Sequence, residues 1–249
     1  MIPDPYITIY NRKMWKNKKV SVIFPTYNEK DSIKNAIEDF FSSGFVDEII
    51  VVNNNAVTGT DEEVKKTNAK LVYEKRQGYG YAIWKGLEES TGDLLIISEP
   101  DGTFSGQDVI KLLAYSDDFD YVLGTRTTRE LIWQGANMGA FLKWGNWAVA
   151  KLLEFLYNTT TLTDVGCTMR LIKRSLYQKI KKYFTVGTQH FGPELTIIVA
   201  KHNIKFIEIP VNYKPRVGRS SVTGNFWKAF LLGMKMIWLI IHYRFKRLK

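Results

Sequence analysis

The feature that most constrains this fold is the alternation, over the first half of the chain, of short apolar segments with segments of helical periodicity. The apolar segments are rich in Val, Ile and Leu and lie at 20–24, 48–52, 71–73, 94–98 and 121–123. Between them, residues 31–41 show the clearest helical spacing of apolar side chains. Strands without polar alternation are buried on both faces. The pattern therefore predicts an α/β fold, with a Rossmann-like, mostly parallel sheet and helices on both faces.

The second half of the chain has a different character. Residues 133–157 are rich in Trp, Phe, Leu and Ala and predict one or two helices, and residues 191–202 predict another. Residues 168–172 and 205–213 predict strands. No internal repeat, low-complexity stretch or clear linker separates these segments, so we expect one domain with a C-terminal appendage.

The last apolar stretch, residues 226–245, predicts an amphipathic helix and not a membrane span. A spanning helix needs about 20 mostly apolar residues, and this stretch is interrupted by charged side chains such as Lys228 and Lys235. It leads into a basic end, as interfacial helices often do. We predict a catalytic domain at residues 1–221 and, at residues 222–249, a basic amphipathic helix that lies on a membrane surface or docks on protein.

The composition predicts a folded protein with anionic partners. Of the 249 residues, 45% are hydrophobic and 24% are charged, as in globular chains. Cys167 is the sole cysteine, which excludes an internal disulfide and fits a reducing compartment. Residues 1–19 lack the apolar run of a secretion signal. The net charge of +10 suits nucleic acid, phosphorylated substrates or an anionic membrane surface, and does not choose among them.

The sharpest local motif is Glu99-Pro100-Asp101, which follows the most apolar predicted strand. Ligands of parallel sheets bind at the carboxyl ends of the strands, so both carboxylates can face one site. Carboxylates together with substrate phosphate oxygens suit a hard cation such as Mg²⁺ or Mn²⁺. The same residues, followed by Gly102, also suit an ordinary turn.

Other motif segments lie beside or within the predicted strands, or later in the chain. They are 25–29, 76–82, 92–93, 124–126, 164–170, 208–211 and 216–220. Together and in this order, these segments resemble the family 2 glycosyltransferases with a GT-A fold. The likeness is strongest to enzymes that glycosylate a polyprenyl phosphate, and it covers about residues 20–221.

This resemblance implies a nucleotide-sugar donor bound at the loops after the strands. The binding residues that it implies are Pro25, Tyr27, Asn28, Glu29, Asn53, Asn54, Gly78, Gly80 and Pro100. The family usually has aspartates at Asn53 and Asn54, one of which contacts the base. Asparagine both donates and accepts hydrogen bonds whereas ionised aspartate only accepts, so the choice between UDP and GDP stays open.

The resemblance also implies a metal and a phosphate clamp. The family's Asp-x-Asp metal motif corresponds to Glu99 and Asp101, where Glu99 has the longer arm and binds the metal through water or not at all. Arg216 and Arg219 match the segment that closes over the diphosphate, and the arginine fork suits phosphate oxygens. The alternative is that both arginines are solvated surface charges.

For the acceptor of the sugar, the candidate catalytic residues in addition to Asp101 are Arg126 and Asp164. A phosphate acceptor is already anionic at neutral pH, so it needs a cation to position it, and Arg126 is the candidate. Asp164 is a base if the acceptor is a hydroxyl, or simply a turn residue.

The expected partners are a polyprenyl phosphate and an anionic membrane surface, at the cytoplasmic face of a membrane, with a membrane partner subunit as a further candidate. No RNA-binding signature or zinc-finger spacing is present, so nucleic acid is not expected. Two alternatives stay open. One is a family 2 transferase with a hydroxyl acceptor on a glycan, and the other is a non-catalytic basic protein that binds membrane or nucleotide.

Overall fold

The structure, a computed structural model, describes residues 14–136, 140–218 and 226–247. The strands of its sheet are β1 Val20–Thr26, β2 Glu48–Asn53, β3 Lys70–Tyr73, β4 Leu94–Ile97, β5 Tyr121–Thr125, β6 Arg170–Lys173 and β7 Phe206–Pro210. The α-helices are α1 Lys30–Ser42, α2 Thr60–Lys65, α3 Tyr79–Glu89, α4 Val109–Tyr115, α5 Ala140–Tyr157, α6 Arg174–Ile180, α7 Phe191–Lys201 and α8 Phe226–Phe245.

The seven strands lie in the order β3-β2-β1-β4-β6-β5-β7. Strand β6 runs antiparallel to both of its neighbours, β4 and β5, and every other pairing is parallel. The prediction of a mostly parallel sheet is confirmed. The position and direction of β6 could not be read from a segment of four residues, because pairing partners are chosen by tertiary packing.

Helices cover both faces of this sheet, as the apolar strands predicted. On one face Val22 and Phe24 of β1 share a core with Phe40 of α1. On the other face Ile23 of β1 shares a core with Leu239 of α8. Successive side chains of a strand point to opposite faces, and β1 therefore contributes to both cores.

The region at residues 133–157 forms one long helix and not two. A short 3-10 turn at Arg129–Leu131 precedes it, and α5 then runs from Ala140 to Tyr157. The buried face of α5 includes Val149 and Leu153, and the helix packs against α8.

Helix α8 is amphipathic, as predicted. Its inner face places Met236, Leu239, Ile240 and Tyr243 in the core. Its outer face exposes large apolar side chains, namely Trp227, Leu231, Trp238, Ile241 and Phe245. Within the described ranges, no helix combines the length and apolarity that crossing a bilayer requires. The predicted domain boundary at residue 221 lies outside the described residues.

Gly86 lets α3 approach the sheet closely. A Cβ atom there would lie 2.4 Å from Ile23 Cγ2 and 3.0 Å from Val52 Cγ2, and β-branched side chains have little freedom to move away. Gly145, in the interior of α5, has no atom within 4 Å of the same position.

We therefore expect Gly86→Ala to lower the free energy of unfolding by about 1–2 kcal/mol, since overpacking outweighs the better helix propensity of alanine. The matched control is Gly145→Ala, which should raise the free energy of unfolding by up to ~1 kcal/mol. Urea unfolding of both variants measures this difference. Equal effects of the two substitutions would contradict the close contact between α3 and β1.

Candidate active site

A cleft of about 800 Å³ opens at the carboxyl ends of β1 and β4. Its polar end is lined by loops that follow the strands, including Tyr27, Glu29, Glu99, Pro100 and Arg126. Its other end is lined by helices α5 and α8, through Gly145, Ala148, Val149, Ala229, Leu232, Gly233 and Met236. The cleft thus joins a charged site to an apolar one.

Asp101 is fully buried and is not itself among the residues that line the cleft, whereas its neighbours Glu99 and Pro100 line the charged end. Its Oδ1 accepts hydrogen bonds from the Thr103 backbone N–H at 2.9 Å and from the Thr103 hydroxyl at 2.5 Å. Its Oδ2 lies 2.9 Å from Arg216 Nη1, but their orientation does not make a hydrogen bond, and Oδ2 is buried without a hydrogen-bond partner. One oxygen is fixed by the turn and the other is available to a ligand.

Arg216 is surrounded by three carboxylates from two loops. Besides Asp101, its Nη2 donates to Glu29 Oε1 at 3.1 Å, and its Nη1 lies 4.0 Å from Glu99 Oε2. Burial lowers the pKa of Arg216, but Asp101, Glu99 and Glu29 outweigh it and raise that pKa. Burial, and then the charge of Asp101, raise the pKa of Glu99.

The backbone brings Arg216 to this position. The Lys214 N–H donates to Thr103 O at 2.8 Å, and the Val217 N–H donates to Asp101 O at 2.9 Å. These bonds fix the arginine segment along the turn of the acidic motif. Arg219, the second predicted clamp residue, lies outside the described residues.

The acidic residues fit a divalent cation that is shared with a substrate. In the part of the chain that the structure describes, no three His, Cys, Asp or Glu side chains are arranged to hold a metal ion by themselves. Mg²⁺ commonly binds one or two carboxylates plus substrate phosphates. Asp101, with its unpartnered Oδ2, and Glu99 suit that arrangement.

Glu29 holds the loop after β1. Its Oε2 accepts hydrogen bonds from the backbone N–H groups of Tyr27, at 2.6 Å, and Asn28, at 2.8 Å. Pro25, Tyr27, Asn28 and Glu29 all line the cleft, which agrees with their predicted position. Glu29 therefore acts as a brace of the loop and leaves the exposed Tyr27 ring to face a ligand.

The two asparagines of the second loop do different things. Asn54 lines the cleft, but its Nδ2 donates to Glu74 O and Arg76 O, both at 2.8 Å, and its Oδ1 accepts from the Gly78 N–H at 2.8 Å. Asn53 is not among the residues that line the cleft, and its side chain bonds to Asp61 and to the Ala56 N–H.

In the structure Asn53 is held by Asp61 and by the Ala56 N–H, and its predicted contact with the nucleotide stays a prediction. Consecutive residues of a strand end point to opposite sides, and accordingly Asn54 lines the cleft while Asn53 does not. The hydrogen bonds of Asn54 make it a brace for the loop after β3.

The glycines of this loop pack against residues 186–187. A Cβ at Gly78 would lie 2.2 Å from Gly187 O, and a Cβ at Gly80 would lie 2.3 Å from Val186 O. Gly78 has φ +151° and lines the cleft, whereas Gly80 is not among the lining residues. Gly80 thus has a packing role in the structure, and its predicted contact with the nucleotide-sugar stays a prediction.

Arg126 and Asp164 form a bidentate ion pair. Arg126 Nε lies 2.7 Å from Asp164 Oδ2, and Nη2 lies 2.9 Å from Oδ1. Burial lowers the pKa of Arg126, but the adjacent Asp164 carboxylate outweighs it and raises that pKa well above its usual value. Arg126 lines the cleft, whereas Asp164 is fully buried. Because Arg126 occupies both oxygens of Asp164, the aspartate orients the arginine and is not a free base.

Two carboxylates that were not among the predicted site residues, the half-buried Glu208 and the buried Glu194, hold the remaining loops. Glu208 accepts from the N–H groups of Thr163 and Asp164, at 2.7 and 2.8 Å. Glu194 accepts from the Val186 N–H at 2.9 Å and from the Tyr243 hydroxyl at 2.5 Å. A charged side chain on an otherwise apolar strand or helix is the signal that could have identified them, because such groups are buried only with partners.

The comparisons with known proteins agree with this site. The family model described as Glycosyl transferase family 2 matches residues 21–181. That match spans β1 to β6 and includes the acidic motif, Arg126 and Asp164.

Three relatives come from Haloferax volcanii. A protein named Glycosyltransferase AglJ is 26% identical over 201 residues, which are 79% of this chain and 63% of that protein. The Low-salt glycan biosynthesis hexosyltransferase Agl6 is 27% identical over 82% of this chain and 49% of its own length. A Dolichyl-phosphate hexose transferase is 27% identical over 82% of this chain and 86% of its own length. The chain thus spans less than two thirds of the first two.

Among solved structures, glucosyl-3-phosphoglycerate synthase from Mycobacterium tuberculosis has a similar fold. The TM-score is 0.71 at 17% sequence identity, over 94% of this chain and 81% of that one. That protein was crystallised with Mn²⁺, uridine diphosphate and phosphoglyceric acid. The likeness confirms the GT-A fold.

The pair of Arg126 and Asp164 leads to a stability prediction. We expect Asp164→Asn to lower the free energy of unfolding by about 3–5 kcal/mol, because it leaves the charge of Arg126 buried without a partner. Adding Arg126→Gln should recover part of that loss. Urea unfolding of the two single variants and the double variant measures the coupling.

Glu63→Gln, at the exposed pair of Glu63 and Lys66, is the control and should have a much smaller effect. Strict additivity of the Arg126 and Asp164 substitutions would contradict a direct coupling between these side chains.

Proposed function

Because the chain belongs to glycosyl transferase family 2 and is a glycosyltransferase, we propose that it moves a sugar from a UDP- or GDP-sugar to a polyprenyl phosphate. The transfer inverts the anomeric carbon and depends on Mg²⁺ or Mn²⁺. The observation that carries the proposal is the single cleft that joins the acidic motif and two arginines to an apolar end between α5 and α8.

The charged end suits the diphosphate of the donor. A divalent cation, when bound by Asp101 and Glu99, supplies positive charge for the phosphate oxygens. Tyr27 and Asn28 line the wall on which the nucleotide would lie. Arg216 is within reach of the same oxygens, and its fork suits them.

The reaction is a direct displacement. An oxygen of the acceptor phosphate bonds to the anomeric carbon while the bond from that carbon to the donor diphosphate breaks, and the diphosphate leaves with the electron pair. A phosphate acceptor is already anionic and requires no strong base. This suits a site in which Arg126 occupies both oxygens of Asp164. Arg126, oriented by Asp164, holds the acceptor phosphate.

The apolar end suits the chain of a lipid acceptor. Gly145 of α5 and Gly233 of α8 both line it, and a Cβ at either would meet no atom within 4 Å. Glycine in a helix interior is about 1 kcal/mol less favourable than alanine. Among the residues that the structure describes, no atom packs at the Cβ positions of these glycines, and their open space gives room for an apolar chain.

The outer faces of α5 and α8 suit a membrane surface. Among the described residues, their exposed large apolar side chains outside the cleft lining are Trp144, Trp147, Phe155, Trp227, Leu231, Trp238, Ile241 and Phe245. Basic residues end α8, including the exposed Arg244 and Arg247, and each contributes about 1 kcal/mol at an anionic surface. We propose peripheral binding at the cytoplasmic face, with a membrane partner subunit as the alternative occupant. The named function of the dolichyl-phosphate relative supports a lipid acceptor.

The metal motif gives the first test. We expect Asp101→Asn to reduce transfer by about 10²-fold or more, because it removes a buried cation ligand, and EDTA should stop transfer by the native chain. Glu99→Gln should cost less, because Glu99 has the longer and more exposed side chain. Release of nucleoside diphosphate measures the rates, and thermal unfolding checks the fold. Turnover that persists in EDTA would contradict metal dependence.

The acceptor gives the second test. The full chain, with UDP- and GDP-sugars and metal, is offered polyprenyl phosphate, a soluble phosphorylated acceptor and a glycan hydroxyl. We expect product on polyprenyl phosphate, and efficient transfer to either soluble acceptor alone would contradict the lipid assignment. Absence of any transfer or nucleotide binding would favour the non-catalytic alternative.

Flotation with anionic liposomes tests the membrane surface. The double substitution Trp227→Ala and Trp238→Ala should reduce the bound fraction several-fold, because it removes exposed apolar surface. Tyr115→Ala, at an exposed aromatic residue of α4, is the matched control. Surface substitutions are preferable to removal of α8, since removal would uncover the core at Leu239 and Tyr243. Equal flotation of all three proteins would contradict membrane docking by α8.

A further inference from the structure

The acidic cluster of Glu29, Glu99 and Asp101 has one cation at its centre, the guanidinium of Arg216. Such a cluster concentrates negative charge in a partly buried place, where charges interact more strongly than in water. Arg216 lies where it compensates all three carboxylates while no other cation is bound.

The contact between Arg216 and Asp101 is incomplete. Asp101 Oδ2 is buried without a hydrogen-bond partner although Arg216 Nη1 is 2.9 Å away, and Arg216 Nε is also buried without a partner. Buried polar groups are normally satisfied. Among the described residues, each side chain of this ion pair thus keeps one buried polar atom without a hydrogen-bond partner.

We propose that Arg216 is a resident counter-ion of the acidic cluster, which a divalent cation displaces and which then moves onto the diphosphate of the donor. The inference rests on the proposed function and adds an order of events to it, in which the cation displaces Arg216 and Arg216 then moves onto the diphosphate. A cation at Asp101 Oδ2 and the guanidinium at the same oxygen repel each other, so they bind there alternately.

The backbone indicates how Arg216 moves. Hydrogen bonds from Lys214 to Thr103 and from Val217 to Asp101 hold the segment on both sides of Arg216. The segment can therefore stay in place while the long side chain changes rotamer. A diphosphate offers paired acceptor oxygens to the planar guanidinium of Arg216, including its Nε.

The consequence is that the donor and the metal help each other to bind. Without nucleotide, a cation must displace Arg216 to a position with no partner for its charge, so the metal binds weakly. With nucleotide present, the displaced arginine gains phosphate oxygens. This coupling is reciprocal: the nucleotide strengthens metal binding by the same factor by which the metal strengthens nucleotide binding.

The test measures binding of Mn²⁺ to the full chain by the electron paramagnetic resonance of free Mn²⁺, first alone and then with UDP or GDP. Arg216→Gln should bind Mn²⁺ alone about tenfold more tightly than the native chain, because the competing charge is gone. Lys66→Gln, which removes the same charge from an exposed position, should match the native chain. Arg216→Lys, which keeps the charge, should also stay close to it.

Nucleotide should tighten Mn²⁺ binding more in the native chain than in Arg216→Gln. Mn²⁺ binding by a folded Arg216→Gln that is no tighter than by Lys66→Gln would overturn the inference and leave the proposed function intact. If no protein binds Mn²⁺ even with nucleotide, metal dependence and the inference fail together.

A measurement on the native chain covers the case in which Arg216→Gln does not fold. The Nε–H resonance of Arg216, identified by its loss in Arg216→Lys, should shift on addition of Mg²⁺ and shift again on addition of nucleotide. A resonance that is unmoved by both additions would also overturn the displacement.

Discussion

Compensation of buried negative charge is the constraint on which the rest of this site depends. Three carboxylates from the loops after β1 and β4 meet at the carboxyl edge of the sheet, and Arg216 lies between them. Further along the cleft, Asp164 holds Arg126 in the same manner. Arg126 is thus fixed by an acid before any substrate is bound. Charges that are already oriented stabilise a developing charge without the cost of reorganisation.

A framework of buried polar side chains gives the loops their shape. Asn54 forms hydrogen bonds with backbone groups of the loop after β3. Glu208 forms them with the loop before β6, and Glu194 forms them with residues 185–186. Each of these side chains bonds to backbone groups that have no strand or helix partner. The loops of a catalytic edge are therefore held by side chains, because regular secondary structure ends there.

Helix α8 belongs to this framework and also to the surface. The hydroxyl of Tyr243 donates to Glu194, whose carboxylate holds the segment against which Gly78 and Gly80 pack. The outer face of the same helix carries exposed Trp227 and Trp238. One face of α8 thus lies in the core and the other face is apolar and exposed. The helix therefore connects the cleft physically to a membrane or partner bound at that surface.

The sequence by itself determined the α/β class, the mostly parallel sheet, the amphipathic last helix and the loops that line the cleft. These follow from local pattern, since strand and helix periodicities and the carboxyl-edge rule depend on neighbours along the chain. Tertiary structure decided the direction of β6, the meeting of Arg216 with Asp101, and the pairing of Arg126 with Asp164. It also decided that Asn53 and Gly80 serve packing and loop bracing. These outcomes join residues that are distant in sequence, and side-chain partners at such distances are set by how the layers pack.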